Sequence, residues 1–73
     1  MNEPLTIFTI YNRPKDYPEH FVVRRWTVQD GKERPHECRL AENLAEARKL
    51  VPPHAARLER MVQDDPCIVE NWI

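Results

Sequence analysis

Asn43 and the pair Pro52-Pro53 bracket the stretch that most limits what this chain can become, Asn-Leu-Ala-Glu-Ala-Arg-Lys-Leu-Val. Leu44, Ala47, Leu50 and Val51 fall on one stripe at helical spacing. Asn43 followed by Glu46 resembles a capping box, with Glu46 reaching back to the cap residue, and Arg48 and Lys49 suit the negative pole of the helix dipole. The two prolines then stop the helix. A helix of about eight residues is ~12 Å long and ~10 Å across. Whatever else the chain builds has only that much helical cover.

The remaining segments read as strands. Residues 5–11, Leu-Thr-Ile-Phe-Thr-Ile-Tyr, are β-branched and aromatic with no helix formers between them. Leu5, Ile7 and Tyr11 point one way and Phe8 and Ile10 the other, so bulk on both faces places this strand inside a sheet. A loop holding Pro14 and Pro18 follows, each proline fixing its own φ and extending its predecessor. Residues 21–28 form the second strand, closed by Asp30-Gly31, where the chain's one glycine takes a positive φ. Residues 36–40 read as a short edge strand weakened by Pro35.

Residues 54–63 fit either period. Ala55, Leu58, Met61 and Val62 make a helix stripe, whereas Ala56, Leu58 and Val62 share a strand face. Residues 67–73, Cys-Ile-Val-Glu-Asn-Trp-Ile, are a strand on composition.

Three motifs carry a resemblance: Tyr-Asn-Arg-Pro-Lys-Asp-Tyr-Pro-Glu-His-Phe-Val-Val-Arg-Arg-Trp, Leu-Ala-Glu-Ala-Arg, and Asp-Asp-Pro-Cys-Ile-Val-Glu-Asn-Trp-Ile. In this order and over most of the chain, they are similar to a group of small uncharacterised bacterial and prophage proteins. The resemblance brings no activity and no site residues. Similar proteins have Gly and Pro where this chain has His54 and Glu59, which implies a strand over 55–61. The expected architecture is α+β, a small two-layer ββαββ with a mainly antiparallel sheet and one short helix on one face, spanning residues 1–73 as a single domain.

Size and charge narrow the function classes. A chain of 73 residues buries only ~60% of its unfolded surface, and a substrate pocket of ~300 Å³ or more would hollow out so small a core. That weighs against an enzyme, and no cofactor is expected. Eleven basic against 12 acidic residues leave a net charge of −1, which lowers a nucleic-acid reading without excluding a basic patch. The opening Met-Asn-Glu-Pro-Leu-Thr lacks the basic lead and long apolar core of a signal peptide. No run reaches the ~20 apolar residues that span a bilayer. A cytoplasmic, non-membrane protein with reduced Cys38 and Cys67 is expected, although spacing alone leaves a disulfide open.

Candidate sites compete with plainer readings. Arg24-Arg25-Trp26 looks like a basic grip beside a stacking aromatic. Strand alternation, however, sends Arg24 and Trp26 to one face with Val22 and Val28, and Arg25 to the other with Phe21 and Val23. The plainer reading puts Trp26 in a core, with both guanidiniums snorkelling or paired to carboxylates. Tyr17 is either a recognition tip on the 12–20 loop or a lid folded over the sheet edge. His36 and Cys38 are the one close pair of zinc-type donors, too few for a signature that needs two pairs. Nothing in the sequence marks the activating neighbourhood that a reactive thiol needs. Asp64-Asp65 before Pro66 is explained by turn chemistry, and one glycine cannot make a phosphate loop. The candidate interaction surface is Arg13, Lys15, Tyr17, Arg25 and Trp26.

One mismatch decides the functional expectation. Ile7, Phe8, Ile10, Tyr11, Phe21, Val23, Trp26, Ile68, Val69 and Trp72 cannot all lie under one short helix. Uncovered apolar surface marks an association site. The chain is therefore expected to be a non-enzymatic interaction protein, a homodimer formed through a sheet face or edge strand, with an unidentified protein partner as a further possibility. The alternative is a small nucleic-acid-binding protein using Arg13, Lys15, Arg24 and Arg25.

Overall fold

The computed structural model describes residues 4–58 and 66–73. Its elements run β1 (Leu5–Asn12), β2 (Phe21–Gln29), β3 (Lys32–Ala41), α1 (Leu44–Lys49), β4 (Arg57–Leu58) and β5 (Ile68–Trp72). The five strands form one antiparallel sheet in the order β3-β2-β1-β5-β4. The α+β class holds, with one short helix among the described residues. The order is βββαββ rather than ββαββ, because the third strand is a full element.

β1 is the central strand, as bulk on both of its faces requires. It pairs with β2 in an unbroken register from Leu5 opposite Val28 to Asn12 opposite Phe21, and with β5 through an irregularity at Ile10–Tyr11. Asp30 (φ 53°) and Gly31 (φ 73°) make the two-residue turn between β2 and β3. Two successive positive φ values match the right-handed twist of a hairpin. The Asp-Gly pair supplies both, not Gly31 alone.

β3 is ten residues long, against the five of the expected 36–40 segment. Pro35 is tolerated because β3 lies at the sheet edge, where a missing N–H can face solvent. Its register with β2 shifts between Arg24 and Trp26, so Arg25 stands opposite a bulge. Every β3 residue except Ala41 is exposed, which explains the absence of an apolar alternation.

α1 is six residues long, shorter than expected. Asn43 caps it by accepting from Glu46 N–H at 2.9 Å. The Glu46 carboxylate reaches one residue further back than a capping box requires, accepting weakly from Glu42 N–H at 3.4 Å. The helix lies over one sheet face, where Ile10, Val23, Ala41, Ala47 and Val51 form the buried core, flanked by Phe8, Phe21, Leu44 and Trp72.

In the 54–63 stretch, Arg57 and Leu58 pair with Trp72 and Asn71, and Ala56 exchanges both backbone hydrogen bonds with Ile73 at 2.7 and 2.9 Å. The strand reading therefore holds at its start. The rest of that stretch, with Met61, Val62 and the Asp64-Asp65 turn, lies outside the described residues.

Candidate functional site

Alternation along the strands divides the side chains between a helix-covered face and an open one. Ile10 and Val23 sit in the core under α1, so their strand neighbours Leu5, Ile7, Thr9 and Tyr11, with Val22, Arg24, Trp26 and Val28, point to the opposite face. Cys38 and Leu40, paired with Arg24 and Val22, join them from β3. Leu5 is 50% and Leu40 45% exposed, while Ile7, Tyr11, Trp26 and Val28 are half-buried.

Arg24 is the hub of this face. Its guanidinium carbon lies 5.6 Å from the Tyr11 ring centroid and 5.5 Å from that of Trp26, within reach of a cation–π contact with each. Its Nε donates to Cys38 Sγ at 3.1 Å, and its Nη2 stands 3.9 Å from Asp16. The hydrogen bond to the Cys38 sulfur leads the effects that raise the Arg24 pKa above its ordinary value, against the opposing cost of burial. Arg24 is thus a positive side chain already committed to four neighbours.

The 13–20 loop folds back beside that hub. Arg13 N–H donates to His20 C=O and Tyr17 N–H to Pro14 C=O, holding the loop tight, with Arg13 itself at φ 50°. Pro14, Lys15 and Asp16 form one wall of a groove of about 450 Å³ whose floor includes Tyr11, Val22 and Trp26. Val22 is only 1% exposed even though it points away from α1. Tyr17 is 37% exposed and is not among the residues that line that groove.

The expected interaction residues are therefore not one surface. Trp26 lies on the open face and Lys15 borders it, whereas Arg25 projects on the helix side, 3.2 Å from Glu37. Carboxylate pairing of both arginines, with Asp16 and Glu37, follows the plainer reading. Trp26 does not, since it belongs to the open face and not to the core under α1.

Glu70 was not legible as a site. It is 1% exposed, yet it accepts from Arg48 Nε at 2.8 Å, Arg48 Nη2 at 3.1 Å and Trp72 Nε1 at 3.2 Å, with Arg57 Nε 3.4 Å away. The Arg48 hydrogen bonds are the main cause of a lowered Glu70 pKa, outweighing the burial that would raise it. The arrangement joins α1, β4 and β5. The one sequence signal is a glutamate inside the apolar run Cys-Ile-Val-Glu-Asn-Trp-Ile.

Neither cysteine is in a disulfide. Cys38 on β3 and Cys67 just before β5 are separated by β2 and β1, roughly 14 Å at ~4.8 Å per strand, beyond the ~7 Å limit for Cα atoms in a disulfide. Among the described residues, no three His, Cys, Asp or Glu side chains gather where they could hold a metal ion, and no helix is long and apolar enough to cross a membrane. No family model, curated protein or solved structure matches the chain.

Proposed function

We propose that the chain is a non-enzymatic interaction protein that pairs with a second copy of itself through the sheet face opposite α1. The observation that carries this reading is the row Leu5, Ile7, Tyr11, Trp26, Val28 and Leu40, which shares a face over which no second layer lies among the described residues. Two such faces packed at ~10 Å make a sandwich and bury both rows.

The edges are poorer docking surfaces than the face. β3 carries Pro35, a bulge opposite Arg25 and the charges of Lys32, Glu33, Arg34 and Arg39, all devices that discourage strand addition. At the other edge, the described part of β4 is the pair Arg57 and Leu58, opposite Trp72 and Asn71. Four strands of about eight residues span roughly 500 Å² of sheet. The loop and turn rims bring that toward the ~800 Å² per partner of a standard interface, so pairing engages the whole face.

A nucleic-acid reading through Arg13, Lys15, Arg24 and Arg25 lacks the joint patch it needs. Arg24 and Arg25 project on opposite faces, and Arg24 is held by Asp16, Cys38 and two rings. Light scattering after size exclusion at high micromolar concentration tests the leading reading. A mass of twice 8.7 kDa supports it, and a clean monomer contradicts it.

A further inference from the structure

We infer that the strip of the helix-side face left bare beside Leu50 binds a small amphipathic carboxylate, its apolar body over Phe8 and Val23 and its anionic head between Arg25 and Arg39. The site is on the opposite side of the sheet from the proposed pairing face and does not depend on it. Six residues of α1 cannot roof the width of the sheet, and a cleft of about 320 Å³ opens where the helix ends. Phe8, Val23 and Leu50 line it together with Arg25, Glu37 and Arg39. That volume is at the lower end of small-molecule sites, which run from ~300 Å³ upward.

The chemistry of the lining selects the ligand. Three apolar side chains favour a hydrocarbon or aryl body. Two arginines against one glutamate leave one positive charge in excess. Arg39 has no ion pair or side-chain hydrogen bond among the described residues, so its guanidinium is the uncompensated one. Arg25 Nε is shielded from solvent and makes no hydrogen bond among the described residues. Glu37 stands 3.2 Å from it without the alignment a hydrogen bond requires. Arg25 Nε is therefore turned to Glu37 and not to the ligand, and the fork that a planar carboxylate matches is the guanidinium of Arg39. The apolar lining also strengthens the attraction by displacing water from around the charges.

A polyanion is the competing occupant. A second depression, of about 480 Å³, meets the cleft at Arg25 and carries Lys32, Arg34 and His36. The apolar half of the cleft gives a phosphate backbone nothing to contact, which favours the small carboxylate.

Octanoate, titrated into the full chain and followed by two-dimensional amide NMR, tests the assignment. The expected shifts centre on Phe8, Val23, Arg25, Arg39 and Leu50. Octanol, with the same body and no charge, binds at least tenfold more weakly, on the order of one charge-assisted hydrogen bond. Arg39→Gln weakens octanoate by about tenfold, Arg39→Lys by less, and the charge-matched Lys49→Gln leaves it unchanged. Four results overturn the assignment: equal binding of octanol, shifts centred on Leu5, Trp26 and Leu40, an Arg39→Gln variant that folds and binds like the parent, or salt-sensitive binding of a single-stranded oligonucleotide at this strip without octanoate binding.

Discussion

Arg48 holds Glu70 at two points, donating from Nε to Oε1 at 2.8 Å and from Nη2 to Oε2 at 3.1 Å. The bond spans 22 residues of sequence and fastens the only helix among the described residues to the sheet. α1 is too short to be stable on its own, since isolated helices under ~12 residues are marginal in water. Its place depends on the apolar stripe around Ala47 and on this carboxylate. Glu70 is nearly buried while Arg48 is 45% and Arg57 56% exposed at the side chain. The desolvation cost therefore falls mainly on the glutamate, which recovers it by accepting from several donors.

Glu70→Gln keeps the size and removes the charge. It is expected to lower the unfolding free energy by roughly 1.5–3 kcal/mol, the range for a hydrogen bond to a charged group. Urea denaturation followed by circular dichroism gives the value. A variant as stable as the parent would show that apolar packing alone holds α1.

Acid should expose the same group. The folded Glu70 pKa is lowered, so on acidification the unfolded chain takes up the proton first, near the ordinary glutamate value of ~4.3. Stability from this group is fully present above that pH and is lost as pH falls through the lower folded value. Thermal midpoints measured between about pH 2 and 6 should fall more steeply for the parent than for Glu70→Gln, and the two curves should converge at the acid end.

Arg24→Lys tests the hub of the open face. Lysine keeps the charge and loses the planar group placed near both Tyr11 and Trp26, along with the Nε–H given to Cys38. The expected cost is about 1 kcal/mol, with a change in Trp26 fluorescence. Trp72, on the far side of the sheet beside Glu70, also emits, so the comparison is made in a Trp72→Phe background.

Much of the fold could be read from local pattern, and the exceptions have physical causes. β1 and β2 announce themselves by their β-branched and aromatic residues, and Asp30-Gly31 because such residues accept two positive φ values. β3 hides because an edge strand exposed on both sides has no alternation to detect and can hold Pro35 without losing a ladder bond. The split of Arg24 from Arg25 needed strand periodicity alone. The meeting of Arg25 with Arg39 needed the β2–β3 register, bulge included, and no local rule supplies that. Glu70 was visible as an oddity within an apolar run, but its partners Arg48 and Arg57 come from separate elements, and Arg48 is equally at home as a charge at a helix end.

The central claim is that pairing uses the open face and not an edge. Leu5 and Leu40 are exposed on that face, so charging them should leave the fold intact. Sedimentation equilibrium of the parent, of Leu5→Glu/Leu40→Glu and of the edge variant Glu33→Lys measures the claim directly. The parent and the edge variant should sediment at twice 8.7 kDa and the face variant at 8.7 kDa. A monomeric parent, or a face variant that stays paired while the edge variant falls apart, would contradict it.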